Sequence, residues 1–308
     1  MKISPYIKLL RIDHWIKNVF MFPGVAIAIS FNSLTLEDVF STQTLISVTI
    51  GFIALCIASS ANYTINEWLD RNFDQIHPFK NHRIANNYKF AAAGVYTQYS
   101  GLVLLVVISF LYQARTTSIF LGFLLIMGIL YNVRPIRLKD KIYMDVISES
   151  INNPIRLAIG WHSIMPDKSL PASAFLSFWG IGIFLMSLKR YSEMVVIDNP
   201  ALLGQYRKSF LKWTPEKLIV FTFFGGMIAT SFIGVLLVRY RLEYILVLPS
   251  LIWIFVEYLR ISLKLDPASF APEKLMGKAK LQLLALLVLA AFLIFTFVDI
   301  PVLDKIIG

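Results

Sequence analysis

Asn66, Asp70 and Asp74 recur every four residues in NYTINEWLDRNFDQIHPFKNHR, which follows directly on the apolar run TLISVTIGFIALCIASSA. A four-residue step returns close to the same face of an α-helix, so an amide oxygen and two carboxylates are expected to project together from the end of a greasy helix. Oxygen donors of this kind suit a hard cation such as Mg²⁺, which binds through one or two carboxylates plus the phosphates of a ligand. Glu67 lies about 100° round from Asn66 and is the weaker ligand. The plainer reading is an amphipathic helix end whose acids pair with Arg71, Lys80 or Arg83.

Three further segments put basic and polar groups beside apolar runs. RIDHWIKNVF offers Arg11, Trp15, Lys17 and Asn18; RPIRLKDK offers Arg134, Arg137, Lys139 and Lys141; SLKRYSEMVVID offers Lys189, Arg190, Tyr191 and Glu193. Each alone reads as an interfacial anchor. Together they form a ring of Lys and Arg for phosphate, with Arg suited to bidentate contacts. A fourth segment, MDVISESINNPIRLAIGWHSI, carries Asp145, Glu149, Asn152, Asn153 and Arg156 inside an otherwise apolar run. Ionised groups at a helix centre cost roughly 2.5–3.5 kcal/mol each on insertion scales, so these should face a polar interior. Steps of 4, 3 and 4 residues put Asp145, Glu149, Asn152 and Arg156 on one helix face.

The elements that must position these groups are membrane helices. Of 308 residues, 57% are hydrophobic and 16% charged, with mean hydropathy +0.66. Soluble domains are about 45–50% apolar and about 25% charged. Apolar runs near 18–36, 44–65, 93–112, 116–133, 145–164, 171–188, 217–238, 244–262 and 281–299 predict an all-α polytopic fold of nine transmembrane helices around a polar cavity. The first run lacks a small-residue cleavage site and reads as a retained span. Lys and Arg concentrate in 1–17, 66–92, 131–144, 189–217 and 260–280, whereas the alternate connections hold only Arg115, Lys168, Arg239, Arg241 and Lys305. That alternation predicts an inner-membrane protein with its N-terminus and polar cavity facing the cytoplasm and its C-terminus on the opposite side. No linker or repeat divides residues 1–308, which read as a single transmembrane domain. Cys56, the one cysteine, reads as core.

Other chemistries lack their signatures. No G-x-x-x-x-G-K-[ST] loop is present, and His14, His77, His82 and His162 lack zinc-ligand spacing. His77, before Pro78, reads as a loop residue rather than a base. The basic charge follows membrane topology and gives no reason to expect nucleic acid.

The run N-E-W-L-D-R-N-F-D at Asn66–Asp74 resembles the first aspartate-rich motif of the UbiA superfamily of intramembrane prenyltransferases, N-D-x-x-D-x-x-x-D, with Glu67 in place of Asp. The expected nine spans and Y-N-V-R-P-I-R-L-K after the fourth run fit the same superfamily. Its usual second motif, D-x-x-Y-x-x-x-D, is altered: Tyr191 is present, but Leu188 and Val195 occupy the acid positions. K-R-Y-S-E, R-x-x-x-W-x-K-N at Arg11–Asn18, H-P-x-K at His77–Lys80, Y-R-K-S-F at Tyr206–Phe210 and L-Q-L-L at Leu281–Leu284 resemble the decaprenyl-phosphate phosphoribosyltransferase-like branch.

The resemblance implies Mg²⁺-dependent transfer of a 5-phosphoribosyl group from a diphosphate-bearing donor to a membrane polyprenyl phosphate. Asn66, Asp70 and Asp74 would hold the metal, with Asp145, Glu149 and Tyr191 completing the catalytic set. Lys17, Asn18, Lys80, Arg83, Arg137, Lys139, Asn152, Arg156, Lys189, Arg190 and Glu193 would contact substrate. Two alternatives stay open: transfer of an isoprenyl chain from an allylic diphosphate to an aromatic or other small acceptor, and a lipid-phosphate or anion transporter without chemistry.

Overall fold

The computed structural model describes residues 4–78, 80, 83–240, 242–264 and 279–307; His82, Arg241 and parts of the basic segments 1–17 and 260–280 lie outside them. Helices account for the regular structure, and the described residues contain no strand. A 3-10 stretch, Ile12–Met21, leads into α1 (Phe22–Phe31), followed by α2 (Thr42–Asp74), α3 (Ala92–Ser109), α4 (Arg115–Asn132), α5 (Met144–Ser150), α6 (Asn152–Ile164), α7 (Ala172–Ile197), α8 (Pro200–Tyr206), α9 (Pro215–Tyr240), α10 (Leu248–Leu263) and α11 (Ala279–Phe297).

Among the described residues, six segments are long and apolar enough to cross a bilayer: Thr42–Asp74, Ala92–Tyr112, Arg115–Asn132, Ala172–Ile197, Pro215–Leu237 and Leu242–Leu263. The expectation of nine spans is thus met at six. The first run is split between the 3-10 stretch and a ten-residue helix that begins with Phe22 and Pro23. The fifth is divided at Ile151 into seven- and thirteen-residue helices. In the ninth, the apolar helical part is Lys280–Phe292.

Helix α2 sets the depth of the site. Ser41 caps its start by accepting from the Thr44 N–H at 3.3 Å. Its 33 residues extend about 50 Å, against about 30 Å of hydrocarbon, so the turns carrying Asn66, Asp70 and Asp74 reach past an apolar body. That body packs Leu55, Ala58 and Ala61 against Leu121 and Leu124 of α4 and Ile155 and Ile159 of α6. A second cluster joins Ile27 and Ala28 of α1 to Leu157 and Trp161 of α6 and Leu236 and Leu237 of α9. Small residues let these backbones meet: a Cβ on Gly24 would stand 2.0 Å from the Leu157 carbonyl oxygen, and one on Gly160 2.0 Å from that of Met21. Leu104 and Leu111 near α3, and Val220 and Phe223 on α9, are exposed apolar groups of the kind a lipid-facing surface requires.

Candidate active site

The charged residues gather where the C-terminal turns of α2, α4 and α7 meet the start of α5. Three ion clusters, each built around a carboxylate, occupy this end of the bundle.

The first is centred on Asp70. Lys139 Nζ donates to both of its oxygens at 2.6 Å, and Arg137 Nη2 donates to Oδ1 at 2.9 Å. Asn66 Nδ2 donates to Asp70 Oδ2 at 3.2 Å and to Asn132 Oδ1 at 2.5 Å. The connection after α4 delivers both cations because Arg137 takes a left-handed conformation, φ 31° and ψ 67°. That conformation is uncommon for a residue with a Cβ. It is held by hydrogen bonds from Arg137 to Asp140 Oδ2, the Asn132 carbonyl and Asp70. Burial pushes the Lys139 ammonium down to about 8, against the attraction of Asp70. One turn on, Asp74 accepts from Arg83 Nη1 at 2.6 Å through Oδ2, while its buried Oδ1 has no hydrogen-bond partner.

The second cluster surrounds the buried Glu193 of α7. His77 Nε2 lies 2.8 Å from its Oε1, Lys80 Nζ donates to the same oxygen, and Arg190 Nη1 donates to Oε2 at 3.2 Å. Lys80 also donates to the Tyr206 hydroxyl at 2.6 Å. Burial pushes His77 and Lys80 below their ordinary values.

The third cluster lies between α4, α5 and α7. Glu149 accepts from Lys189 Nζ and the Tyr131 hydroxyl, both at 2.9 Å, and from Arg190 Nη2. Tyr131 in turn accepts from Arg190 at 3.2 Å and Arg207 Nη1 at 3.1 Å. Beside this cluster a cavity of about 210 Å³ runs inward, lined by Lys17, Asn66, Glu149, Asn152, Asn153, Arg156 and Lys189 among polar groups and by Phe20, Leu124, Met127, Leu185 and Met186 among apolar ones. A wider recess of about 560 Å³, beside Phe120, His162 and Lys168, sits at the opposite ends of α4 and α6, away from all three clusters.

The predicted fifth-run face divides. Glu149, Asn152, Asn153 and Arg156 line the cavity, but Asp145 is fully buried, accepting from Ser209 Oγ at 2.9 Å and Trp213 Nε1 at 3.2 Å, with Arg190 Nε 3.6 Å away. Its position holds Arg190 and the 208–213 segment. Tyr191 packs with the apolar cluster of Val146, Ile183, Trp213 and Leu218, since a one-residue step from Arg190 turns it to another face of α7. Asn18, expected at a membrane edge, is fully buried, accepting from Ser59 Oγ at 3.1 Å and Arg156 Nε at 3.0 Å and donating to Cys56 Sγ at 3.3 Å. Glu67 turns to the N-terminal segment, 4.0 Å from Arg11 Nη1.

His77, expected as an ordinary loop residue, is fully buried against Glu193. Tyr131, Asn132, Tyr206 and Arg207 joined the site without being singled out as site residues. Their one signal was membership of YNVRPIRLK and YRKSF, polar motifs at helix ends.

No group of three or more His, Cys, Asp or Glu side chains able to hold a metal occurs among the described residues. The donors present fit a cation shared with a phosphate ligand: Asp74 has a buried oxygen without a partner, and Asp70 is held at the same end of the bundle by Lys139, Arg137 and Asn66. Such a site supplies one or two carboxylates and leaves the remaining positions to phosphate and water, as Mg²⁺ prefers.

The profile of the UbiA prenyltransferase family matches residues 21–284. A decaprenyl-phosphate phosphoribosyltransferase from Corynebacterium glutamicum is 27% identical over 236 residues, which cover 69% of this chain and 60% of that protein. The match thus spans about three fifths of the curated relative's length. Two solved structures share the fold: a UbiA homolog from Archaeoglobus fulgidus bound to GPP and Mg²⁺ (TM-score 0.69, 18% identity) and a UbiA homolog from Archaeoglobus fulgidus bound to DMAPP and Mg²⁺ (TM-score 0.67, 18% identity), each match covering 96% of this chain and 100% of the other.

Proposed function

Because the chain belongs to the UbiA prenyltransferase family and is a membrane-embedded transferase, we propose that it transfers a 5-phosphoribosyl group from phosphoribosyl diphosphate to a polyprenyl phosphate, releasing diphosphate. Family membership replaces the transporter alternative. The observation that carries the reading is the Lys189–Arg190–Arg207 array around Glu149 and Tyr131, beside the part of α7 where the superfamily's second acid motif is altered. Lys189 and Arg190 flank Tyr191 there, while Leu188 and Val195 hold the acid positions. The Corynebacterium relative, named for this reaction, supports the same assignment.

In the reaction the bond from the anomeric carbon to the diphosphate oxygen breaks, its electron pair leaving on the diphosphate. An oxygen of the acceptor phosphate forms the new bond to that carbon. The acceptor oxygen is already anionic, so no base has to remove a proton. This agrees with Asp145 having both oxygens engaged by Ser209 and Trp213. Lys139, Arg137, Lys189 and Arg190 hold the leaving charge as it develops, where fixed cations in a dry site are most effective. Glu149 faces the cavity and opposes the positive charge that grows on the ribose ring. Asp70 and Asp74, with Asn66 positioning Asp70, would hold Mg²⁺. When bound, it supplies Lewis-acid stabilisation and a template for the diphosphate. The basic segments at this end support a position at the cytoplasmic face of the cell membrane.

A second reading, isoprenyl transfer from an allylic diphosphate, is favoured by the apolar wall of Phe20, Leu124, Met127, Leu185 and Met186. Mg²⁺-dependent diphosphate release by the purified protein with polyprenyl phosphate present separates the two. Release from phosphoribosyl diphosphate with a phosphoribosylated lipid as product is expected. Release only from an allylic donor with an aromatic acceptor would overturn the first reading in favour of the second.

A further inference from the structure

Arg156 differs from six other cations of the site and shares the lack of a paired carboxylate with Arg207, which donates to the Tyr131 hydroxyl. Lys80, Arg83, Arg137, Lys139, Lys189 and Arg190 each face a carboxylate. Arg156 is 6% exposed, and its partners are two neutral amides: Nε donates to Asn18 Oδ1 at 3.0 Å, and Nη1 stands 3.5 Å from Asn153 Oδ1. Among the described residues it makes no ion pair. A buried guanidinium without a counter-charge is costly, and the cost is relieved when an anion arrives. Asn18 is itself clamped by Ser59 and Cys56, so the guanidinium is fixed in place.

Its depth is informative. Ser59, which binds Asn18, precedes Asn66 on α2 by seven residues, roughly 10 Å further into the bundle at about 1.5 Å per residue. The same cavity that opens beside Lys189 and Glu149 reaches Arg156. Between the two ends lies Asn152, whose Oδ1 is buried and lacks a hydrogen-bond partner. A cavity with cations at both ends and an unmet acceptor between them fits a ligand with an anion at each end and hydroxyls in the middle. An allylic diphosphate would instead lay hydrocarbon against the guanidinium.

We propose that Arg156 seats the 5-phosphate of the donor, with Asn152 accepting from a ribose hydroxyl, and so selects phosphoribosyl diphosphate over allylic diphosphates. This rests on the proposed phosphoribosyl transfer. The test measures KM for phosphoribosyl diphosphate and for polyprenyl phosphate in wild type, Arg156→Gln and Asn153→Asp. The second variant puts a carboxylate beside Nη1 while keeping the guanidinium and its bond to Asn18, so it remains informative if Arg156→Gln does not fold. Donor KM should rise about ten- to a hundred-fold in both, the scale of one charged hydrogen-bonded contact, with acceptor KM unchanged. Unchanged donor KM, or a rise confined to the acceptor, overturns the assignment.

A binding arm separates this proposal from the reaction itself. Ribose 5-phosphate should raise the thermal unfolding temperature of wild type but not of the variants, while inorganic diphosphate with Mg²⁺ protects all three. Protection by ribose 5-phosphate that depends on Arg156, without any turnover of phosphoribosyl diphosphate, would retain the phosphate seat and refute the proposed transfer. Turnover without such protection would refute the seat alone.

Discussion

Asp70→Asn leaves Lys139 and Arg137 facing a neutral amide. In the native chain Lys139 Nζ is 2.6 Å from both carboxylate oxygens and Arg137 Nη2 is 2.9 Å from one, with all three residues at least nine-tenths buried. Removing one partner of a buried pair costs about 3–5 kcal/mol. Asp70→Asn should fall at the upper end, because two cations lose their counter-charge. Lys139→Gln should cost about 3 kcal/mol, since Asp70 keeps Arg137. In the double variant neither member of the pair is left charged and alone, and Arg137 retains Asp140 at 3.0 Å. Its destabilisation should therefore be smaller than the sum of the single effects by about 2–3 kcal/mol. Thermal unfolding in detergent reads this directly, at roughly 2–4 °C per kcal/mol for a chain of this size. Turnover should be lost in Asp70→Asn and stay lost in the double variant, because a restored fold does not restore the carboxylate proposed to hold the metal. Additive stability effects would refute the coupling, and recovery of turnover in the double variant would refute the metal role of Asp70.

Asp74→Asn breaks a pair with the part-exposed Arg83, so its stability cost should be smaller, about 1–3 kcal/mol. Turnover should nonetheless fall on the order of 10²-fold, and a Mg²⁺ titration should show a higher half-saturating concentration. Lys139, held near 8 by burial, is charged below that pH and neutral above it. Donor KM should therefore rise as pH passes 8, and Lys139→Arg should move that rise to higher pH. Unfolded lysine keeps its proton to about 10.4, so between the two values the unfolded chain binds more protons, and this group makes stability rise with pH. A donor KM that worsens while the unfolding temperature does not is the expected signature. Gly160→Ala forces a Cβ to 2.0 Å from the Met21 carbonyl oxygen, a backbone atom that cannot swing away. It should cost about 1–3 kcal/mol in thermal unfolding, whereas Gly122→Ala, with open space around its Cβ, should not.

Spacing was readable wherever a helix converts it into a direction. Asn66 and Asp70 meet because they are one turn apart, and Glu149, Asn152 and Arg156 share a cavity for the same reason. Spacing does not reveal what packs against each turn. Asp145 precedes Glu149 by one turn, yet Ser209 and Trp213, more than sixty residues on, claim its oxygens. The seizure of Asp70 by Lys139 depends on the left-handed residue Arg137, which no periodicity marks. His77 beside Pro78 had the look of a loop, and only the return of α7 and α8 buries it between Glu193 and Tyr206. Hydropathy located the fifth run but not its division at Ile151, because backbone turns leave no trace in a sliding average.

Pairing every acid with a cation does not disable a site for a metal and a diphosphate; it prepares an exchange of partners. Asp70, Asp74, Glu149 and Glu193 neutralise Lys139, Arg83, Lys189 and Lys80 while no ligand is bound, which keeps several buried charges tolerable. On the proposed reading, Asp70 and Asp74 would hold Mg²⁺ and Lys139 and Arg83 would be released to phosphate oxygens when metal and diphosphate bind together. Each charge would keep a counter-charge in such an exchange. The exchange also sets an order. A metal ion alone would have to displace Lys139 from both oxygens of Asp70 and leave that ammonium buried without an anion, so Mg²⁺ should bind poorly until diphosphate is present. Calorimetric titration of Mg²⁺ should therefore show tight binding only with diphosphate, and Lys139→Gln should weaken that dependence. Equal Mg²⁺ affinity with and without diphosphate in the wild type would show that the pairs are permanent struts and that the metal is held elsewhere.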